Sequence, residues 1–326
     1  MRGMRKAAVM TVSIFIAVAL TASGAFAARV KTSVASAPPG AAPHVIWGGL
    51  AKLISKESKT VKMSNLTTRG AVEDIRLVEN GRAEFAPGVA TLLDLAIKGK
   101  KMFKKPYTNQ CGLGPATASM FHIGVKKSSG IKTVQDLDGK RVSFAKEGSS
   151  THSMTRTIMK LAGVKVREEN LNWNVAADAI KEKRLDAFTI PNPVPSPAFV
   201  KFSTDQPITL LPVEGKILKT MLTMNKAYFP ITIPANSYKG QDVAVKTVGF
   251  TLWTIAGCKV PADVVYEVTR LNYSKKGMSY LIKAHKGWKV GFDLMPALDQ
   301  MKAINMKVHP GAARYWKEKG HKIPKM

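Results

Sequence analysis

A two-lobed α/β fold is what this sequence predicts, and three observations carry the prediction. Strand-sized apolar patterns alternate with helical ones along almost the whole chain. Several loops leading from a strand into a helix are built from Gly, Pro, Ser and Thr, residues suited to turns and helix starts. The chain has 326 residues, a length more natural to two lobes than to one.

Val30 to Ala35 reads as the opening strand. In the loop Ala37-Pro-Pro-Gly-Ala-Ala-Pro43, Pro38, Pro39 and Pro43 forbid a regular ladder or helix. Val45 to Ser55 then spaces Val45, Leu50, Leu53 and Ile54 as a helix. Thr60 to Leu66 predicts a strand, Thr67-Thr68-Arg69-Gly70 a turn, and Ala71 to Asn80 a helix closed by Gly81. Met120 to Val125 and Lys140 to Ala145 are further strands, and His152 to Leu161 a helix stopped by Gly163. A helix over Ala176–Lys183 precedes a strand over Leu185–Ile190. Pro191, Pro193, Pro195 and Pro197 predict an extended segment incompatible with helix, followed by a strand over Ile208–Val213. A strand over Thr247–Ile255 and helices over Ala262–Asn272 and Lys275–His285 occupy the last third. Such alternation predicts parallel sheets covered by helices, with ligands bound at the carboxyl ends of the strands.

Arg2, Arg5 and Lys6 precede an apolar run from Ala7 to about Ala22, and Ala25-Phe26-Ala27 has the small-x-small cleavage pattern. Residues 1–27 therefore read as a secretory signal, and export to the periplasm or another extracytoplasmic space is expected. No later stretch has a membrane-spanning length, so the mature chain is not expected to span the bilayer. Removing the three cationic residues of the leader takes the formal charge from +28 to +25. A basic surface of this kind draws in anions from a distance. The Lys and Arg residues are scattered, and no helix-turn-helix, RNA-recognition or zinc-finger pattern accompanies them, so no nucleic-acid partner is expected. Cys111 and Cys258 are one widely spaced pair, compatible with a disulfide or with two free buried thiols. The six His residues are dispersed without metal-ligand spacing, and no metal or cofactor is expected.

Gly148-Ser149-Ser150-Thr151 lies between a strand and a helix. Backbone N–H groups at a helix start have no intrahelical partners, and the neighbouring hydroxyls add donors, a combination that suits an anionic group. The same residues also serve as an ordinary helix cap.

The segment Ile231-Thr-Ile-Pro-Ala-Asn-Ser-Tyr-Lys-Gly-Gln-Asp242, preceded by Ala227-Tyr-Phe-Pro230, resembles a signature of the TAXI-type solute-binding proteins of TRAP transporters. Collinear matches follow at Gly48–Leu53, Ser129–Ile131, Asp136–Val142, Gly148–Thr151, Leu185–Phe188, Pro195–Ala198 and His309–Ala312. The resemblance implies a type II periplasmic-binding-protein-like fold, in which two α/β lobes close over a ligand. It divides the mature chain into lobe I, 28–124 plus 246–326, and lobe II, 125–245. It also implies delivery of a small organic anion, of the dicarboxylate, glutamate or oxoacid class, to TRAP membrane permease subunits. Gly148, Ser149, Ser150 and Thr151 match the family's Gly-Ser-Gly-Thr loop, with Ser150 in place of a Gly. Thr68, Arg69 and Gly70 fall on its Thr-Gly-Gly stretch, where Arg69 replaces a Gly and, further on, Asp74 an Asn. A guanidinium there is able to grip a carboxylate bidentately. Pro43-His44 stands where relatives carry an aromatic pair, and Asn192 enters a run of small residues as a new donor. Gly40, in the loop before the first helix, completes the candidate ligand-binding set.

Two other classes compete. A secreted hydrolase-like enzyme would need a nucleophile and base; Ser149 or Ser150 beside His152 is the nearest approach, without an orienting third group or a Gly-x-Ser-x-Gly elbow. A polyanion-binding surface protein would use the mature charge, and its binding would weaken steeply with salt. A non-enzymatic receptor is the expected function.

Overall fold

Two long strands that cross from one half of the molecule to the other carry the architecture. The computed structural model describes residues 28–37, 39, 41–147, 149–295 and 297–325; the predicted leader, Gly40 and Gly148 lie outside them. The first half contains β1 (Val30–Ser36), α1 (Ala42–Glu57), β2 (Val61–Thr67), α2 (Ala71–Glu79), β3 (Phe85–Val89) and α3 (Ala90–Ile97). Strand β4 (Cys111–Lys126) leads into the second half. There follow β5 (Arg141–Ser143), α4 (Ser150–Ala162), β6 (Arg167–Glu169), α5 (Trp173–Lys181), β7 (Ala187–Asn192) and α6 (Pro197–Asp205). The second half continues with β8 (Ile208–Leu210), α7 (Gly215–Met224) and β9 (Tyr228–Ile233), and β10 (Val245–Ala256) returns to the first. Helices α8 (Ala262–Asn272), α9 (Lys275–Ala284), α10 (Gly287–Asp293) and α11 (Leu298–Ala303), strand β11 (Lys307–Val308) and α12 (Pro310–Glu318) complete it.

The sheet runs β2-β1-β3-β10-β4-β7-β5-β6, with β8 and β11 added on β4 and β9 on β10. Parallel pairing holds within each flank, β2-β1-β3 and β7-β5-β6. The centre is antiparallel, because β10 opposes both β3 and β4 and β4 opposes β7. The expected parallel sheets are thus corrected to a mixed sheet. Each crossing strand serves both halves. β4 pairs with β10 from Cys111 to Met120 and with β7 from Met120 to Val125. β10 pairs with β9 from Val245 to Phe250 and with β3 from Leu252 to Ala256.

Several boundaries differ from expectation for identifiable reasons. β4 begins nine residues before the predicted Met120, through Gly112, Gly114 and Pro115. Its first fifteen residues are buried, so the alternation that betrays a half-exposed strand is missing. Pro115 stands opposite Trp253 beside a register shift, the kind of irregularity at which a strand tolerates proline. Helix α1 starts at Ala42 with Pro43 in its first turn, and Pro197 opens α6; both positions leave the missing amide outside the helical ladder. The extended segment predicted through Pro197 therefore ends at Ser196. Gly163 ends α4 as expected, with φ 75° in the left-handed region.

Trp47, Trp253 and Trp288 are fully buried in the first half. In the second half Phe188, Phe199 and Phe202 form a cluster, Phe188 and Phe199 stacking at 4.5 Å. Gly124 of β4 lies under the Phe199 ring, where a Cβ would collide with it. Cys111, at the start of β4, is bonded to Cys258, just beyond β10, so the alternative left open by the sequence resolves to a disulfide. Among the described residues, no helix is long and apolar enough to cross a membrane.

Candidate functional site

A cleft of about 690 Å³ opens where the two halves meet at the crossing strands. Its floor is made by Ser119 of β4, Phe250 and Leu252 of β10, and the end of β7 from Ile190. Helix starts form the walls. The first half contributes Ala41 to Pro43 at α1, Arg69 to Ala71 at α2, and Leu92 in the first turn of α3. The second half contributes Thr151 at α4, Asn172 to Asn174 at α5, and Pro197 and Ala198 at α6. The convergence follows from the parallel flanks, which deliver every strand end and helix start to the same edge.

The two walls offer their amides differently. In the first half the N-cap positions of α1, α2 and α3 are Ala41, Gly70 and Val89, and none makes a side-chain capping bond. In the second, the Ser149 hydroxyl accepts from His152 N at 3.1 Å and Asn172 Oδ1 accepts from Val175 N at 3.1 Å. The α1, α2 and α3 starts thus carry no side-chain cap, whereas two second-half helices are capped.

Arg69, Gly70, Thr151 and Asn192 are brought together in the cleft lining. The Arg69 side chain is 93% exposed, with Nε 3.3 Å from Glu73 Oε2. Glu73 also accepts from the Arg69 backbone amide at 2.7 Å, and that bond is the main reason its carboxyl is held below the usual range. An exposed i,i+4 pair is weak, so the guanidinium can turn to a ligand at little cost. Gly70, at φ 124°, supplies a conformation that side-chain-bearing residues avoid. Asn192 donates from Nδ2 to Ser196 Oγ at 3.2 Å.

The other candidates sit elsewhere. His44 turns away from the cleft: its Nδ1 is 3.0 Å from the Ala37 carbonyl, and it lines a separate groove with Gly48, Lys52 and Tyr280. Thr68 is buried, donating to Asp74 Oδ1 at 2.5 Å and accepting from Gly70 N at 3.2 Å, so it holds the turn. Ser149 lines a neighbouring groove with Lys100, Met102 and Met221. The side chain of Ser150 is outside the description, as are Gly40 and Gly148.

Ser119, Asn172, Trp173, Asn174, Phe250 and Leu252 are lining residues that sequence reasoning missed. Asn172-Trp-Asn174 carried a usable signal, an Asn cap ahead of a helical pattern; the helix was expected to start only at Ala176. Ser119, Phe250 and Leu252 carried none, since their place beneath the cleft depends on how β4 and β10 pair.

A buried network holds the cleft rim. Burial pushes the pKa of His122 down to about 4, so its ring is neutral. Nδ1–H donates to the Met120 carbonyl at 2.7 Å, leaving Nε2 to accept from the Tyr238 hydroxyl at 2.8 Å. The Tyr238 oxygen in turn accepts from Ser196 N at 2.8 Å. Tyr238 belongs to the 231–242 segment quoted above, which thereby anchors the Pro191–Pro197 rim.

Beneath Arg69, Asp74 is 1% exposed and its Oδ2 has no hydrogen-bond partner among the described residues. Burial raises its pKa from 3.8 to about 6, and the Thr68 hydroxyl offsets only part of that. Because the folded value lies above the unfolded one, the native state loses stability through this group as pH rises from about 4 to 6. Asp74→Asn is expected to stabilise the protein at pH 7 by about 2 kcal/mol, less than two pKa units' worth because the new amide also needs a partner. Urea denaturation at pH 4 and pH 7 checks this: the variant should lose the decline that the parent shows.

Residues 34–320 of the chain match the NMT1-like family. The fold is similar to that of a TctC solute binding protein from Polaromonas, at 14% identity over 85% of this chain and 96% of that one, with a TM-score of 0.54. It is also similar to a probable amino-acid ABC transporter extracellular-binding protein from Bacillus subtilis, at 12% identity over 80% of this chain and 98% of that one, with a TM-score of 0.50. The fold class is therefore the periplasmic-binding-protein-like α/β fold.

Proposed function

The chain belongs to the NMT1-like family, and from that premise we propose that it is an extracytoplasmic solute-binding protein of a transporter. It captures a small organic anion between its halves and hands it unreacted to a membrane permease. The observation that carries this reading is the interlobe cleft, where uncapped helix starts and Arg69 face a second wall across two crossing strands. The neighbours in fold, named as solute-binding and extracellular-binding proteins, support it. The TAXI-like motifs support a TRAP-type permease as the partner, and the disulfide and the predicted leader support a periplasmic location.

Lobe I, 28–124 with 246–326, and lobe II, 125–245, are the two bodies that move, with β4 and β10 as the flexing connection. The ligand touches both walls only in the closed state, so it shifts the open–closed balance by its differential affinity. Arg69, Gly70, Thr151 and Asn192 are the residues that meet it.

Arg69→Ala is expected to weaken binding of an acidic ligand about tenfold or more without changing the thermal midpoint, since the lost bond is charge-assisted and its donor exposed. Titration calorimetry of the protein without residues 1–27, against a library of organic acids, tests the reading. Stoichiometric binding with chemically unchanged ligand supports a receptor. Turnover of the ligand would establish an enzyme instead.

A further inference from the structure

Resting on the receptor reading above, we infer that the ligand is an aromatic carboxylate, its ring laid against Trp173 and its carboxylate turned to Arg69. Of the five tryptophans, Trp47, Trp253 and Trp288 are fully buried and Trp316 is 2% exposed. Trp173 is 38% exposed at the first position of α5, and it stands in the cleft wall. A large aromatic surface left open on a concave wall gains free energy when a planar apolar group covers it. The remainder of the cleft suits the same body. Phe250 and Leu252 form an apolar floor, and Pro193, Ala42 and Leu92 add apolar wall.

The polar groups select the head. Arg69 is the only charged residue among the described ones lining the cleft. A second carboxylate, as in a dicarboxylate that bridges the cleft, would find no second cation among the described lining residues, and on the second-half wall the α4 and α5 starts are already engaged by Ser149 and Asn172. An ammonium group would meet no acidic side chain among those lining residues, which disfavours amino acids. Asn174, Asn192 and Ser119 are neutral hydrogen-bonding groups, suited to a hydroxyl or carbonyl substituent on the ring. The lining thereby favours an aromatic monocarboxylate over the dicarboxylate or glutamate expected from resemblance.

Calorimetry and tryptophan fluorescence on the leader-free protein test this. The probes are benzoate, 4-hydroxybenzoate and phenylacetate, compared with succinate, 2-oxoglutarate, glutamate, phenylalanine and benzyl alcohol. At least one aromatic acid should bind one to one, about tenfold or more tighter than any other probe, and change the fluorescence. Trp173→Ala should abolish that change and weaken the aromatic acid about tenfold, while Trp173→Phe restores most of the affinity and both keep the parent's thermal midpoint. Equal or tighter binding of an aliphatic acid or an amino acid, or full affinity in Trp173→Ala, would overturn the aromatic assignment and leave the receptor standing. Binding of no probe would overturn both.

Discussion

Replacing Cys111 and Cys258 together by alanine should lower the stability of the folded protein by about 4 kcal/mol. The bond joins residues separated by 147 positions. Closing a loop of that length removes chain entropy from the unfolded state worth about 5 kcal/mol, and removal of native disulfides costs roughly 2–5 kcal/mol in practice. Its place in the fold makes the effect structural as well. Cys111 pairs in the ladder with Ala256, two residues before Cys258, so the bond clamps the first-half ends of both crossing strands. Guanidinium denaturation of parent and double variant, each with and without reductant, measures it. Reductant should destabilise the parent to the level of the variant and leave the variant unchanged; a difference under about 1 kcal/mol would remove the bond from any role in stability.

Tyr238→Phe should cost about 4 kcal/mol and weaken ligand binding although Tyr238 does not line the cleft. Its hydroxyl completes two buried bonds at once, donating to His122 Nε2 and accepting from Ser196 N. His122 and Ser196 are both fully buried, so neither group recovers water when the hydroxyl is deleted. Each orphaned group costs about 1–3 kcal/mol. The consequence for binding passes through Ser196, which precedes α6 and ends the Pro191–Pro197 rim. Amide exchange at Ser196 should accelerate in the variant, a change that loosening of the first-half core would not produce. Unaltered exchange together with a loss under about 1 kcal/mol would show that the rim is held by other contacts.

Much of this was legible along the chain. The β1-α1-β2-α2 succession was readable because the apolar residues of each element keep one period, and Pro43, Gly70 and Gly81 punctuate the start of α1 and the two ends of α2. The helix starts of α1, α2 and α4 followed from the same punctuation. Thr68 and Ser149 show the limit of that logic. Both are hydroxyl residues at helix starts, yet one holds a turn over Asp74 and the other caps its own helix, because a hydroxyl chooses its partner by direction, which spacing does not encode. His44, expected in the loop before the first helix, lies in the first turn of α1 with its ring directed to the Ala37 carbonyl and away from the cleft.

Local periodicity by itself determined the α/β class, the order of most elements and the loops that deliver helix starts, since those depend on residues within a few positions of one another. Tertiary structure alone decided that β4 and β10 run antiparallel through both halves, that Cys111 meets Cys258, and that Trp173, Phe250 and Arg69 face one space. Such choices are made by burial and pairing among segments far apart in the chain, where many partners fit the same pattern and only simultaneous packing selects one.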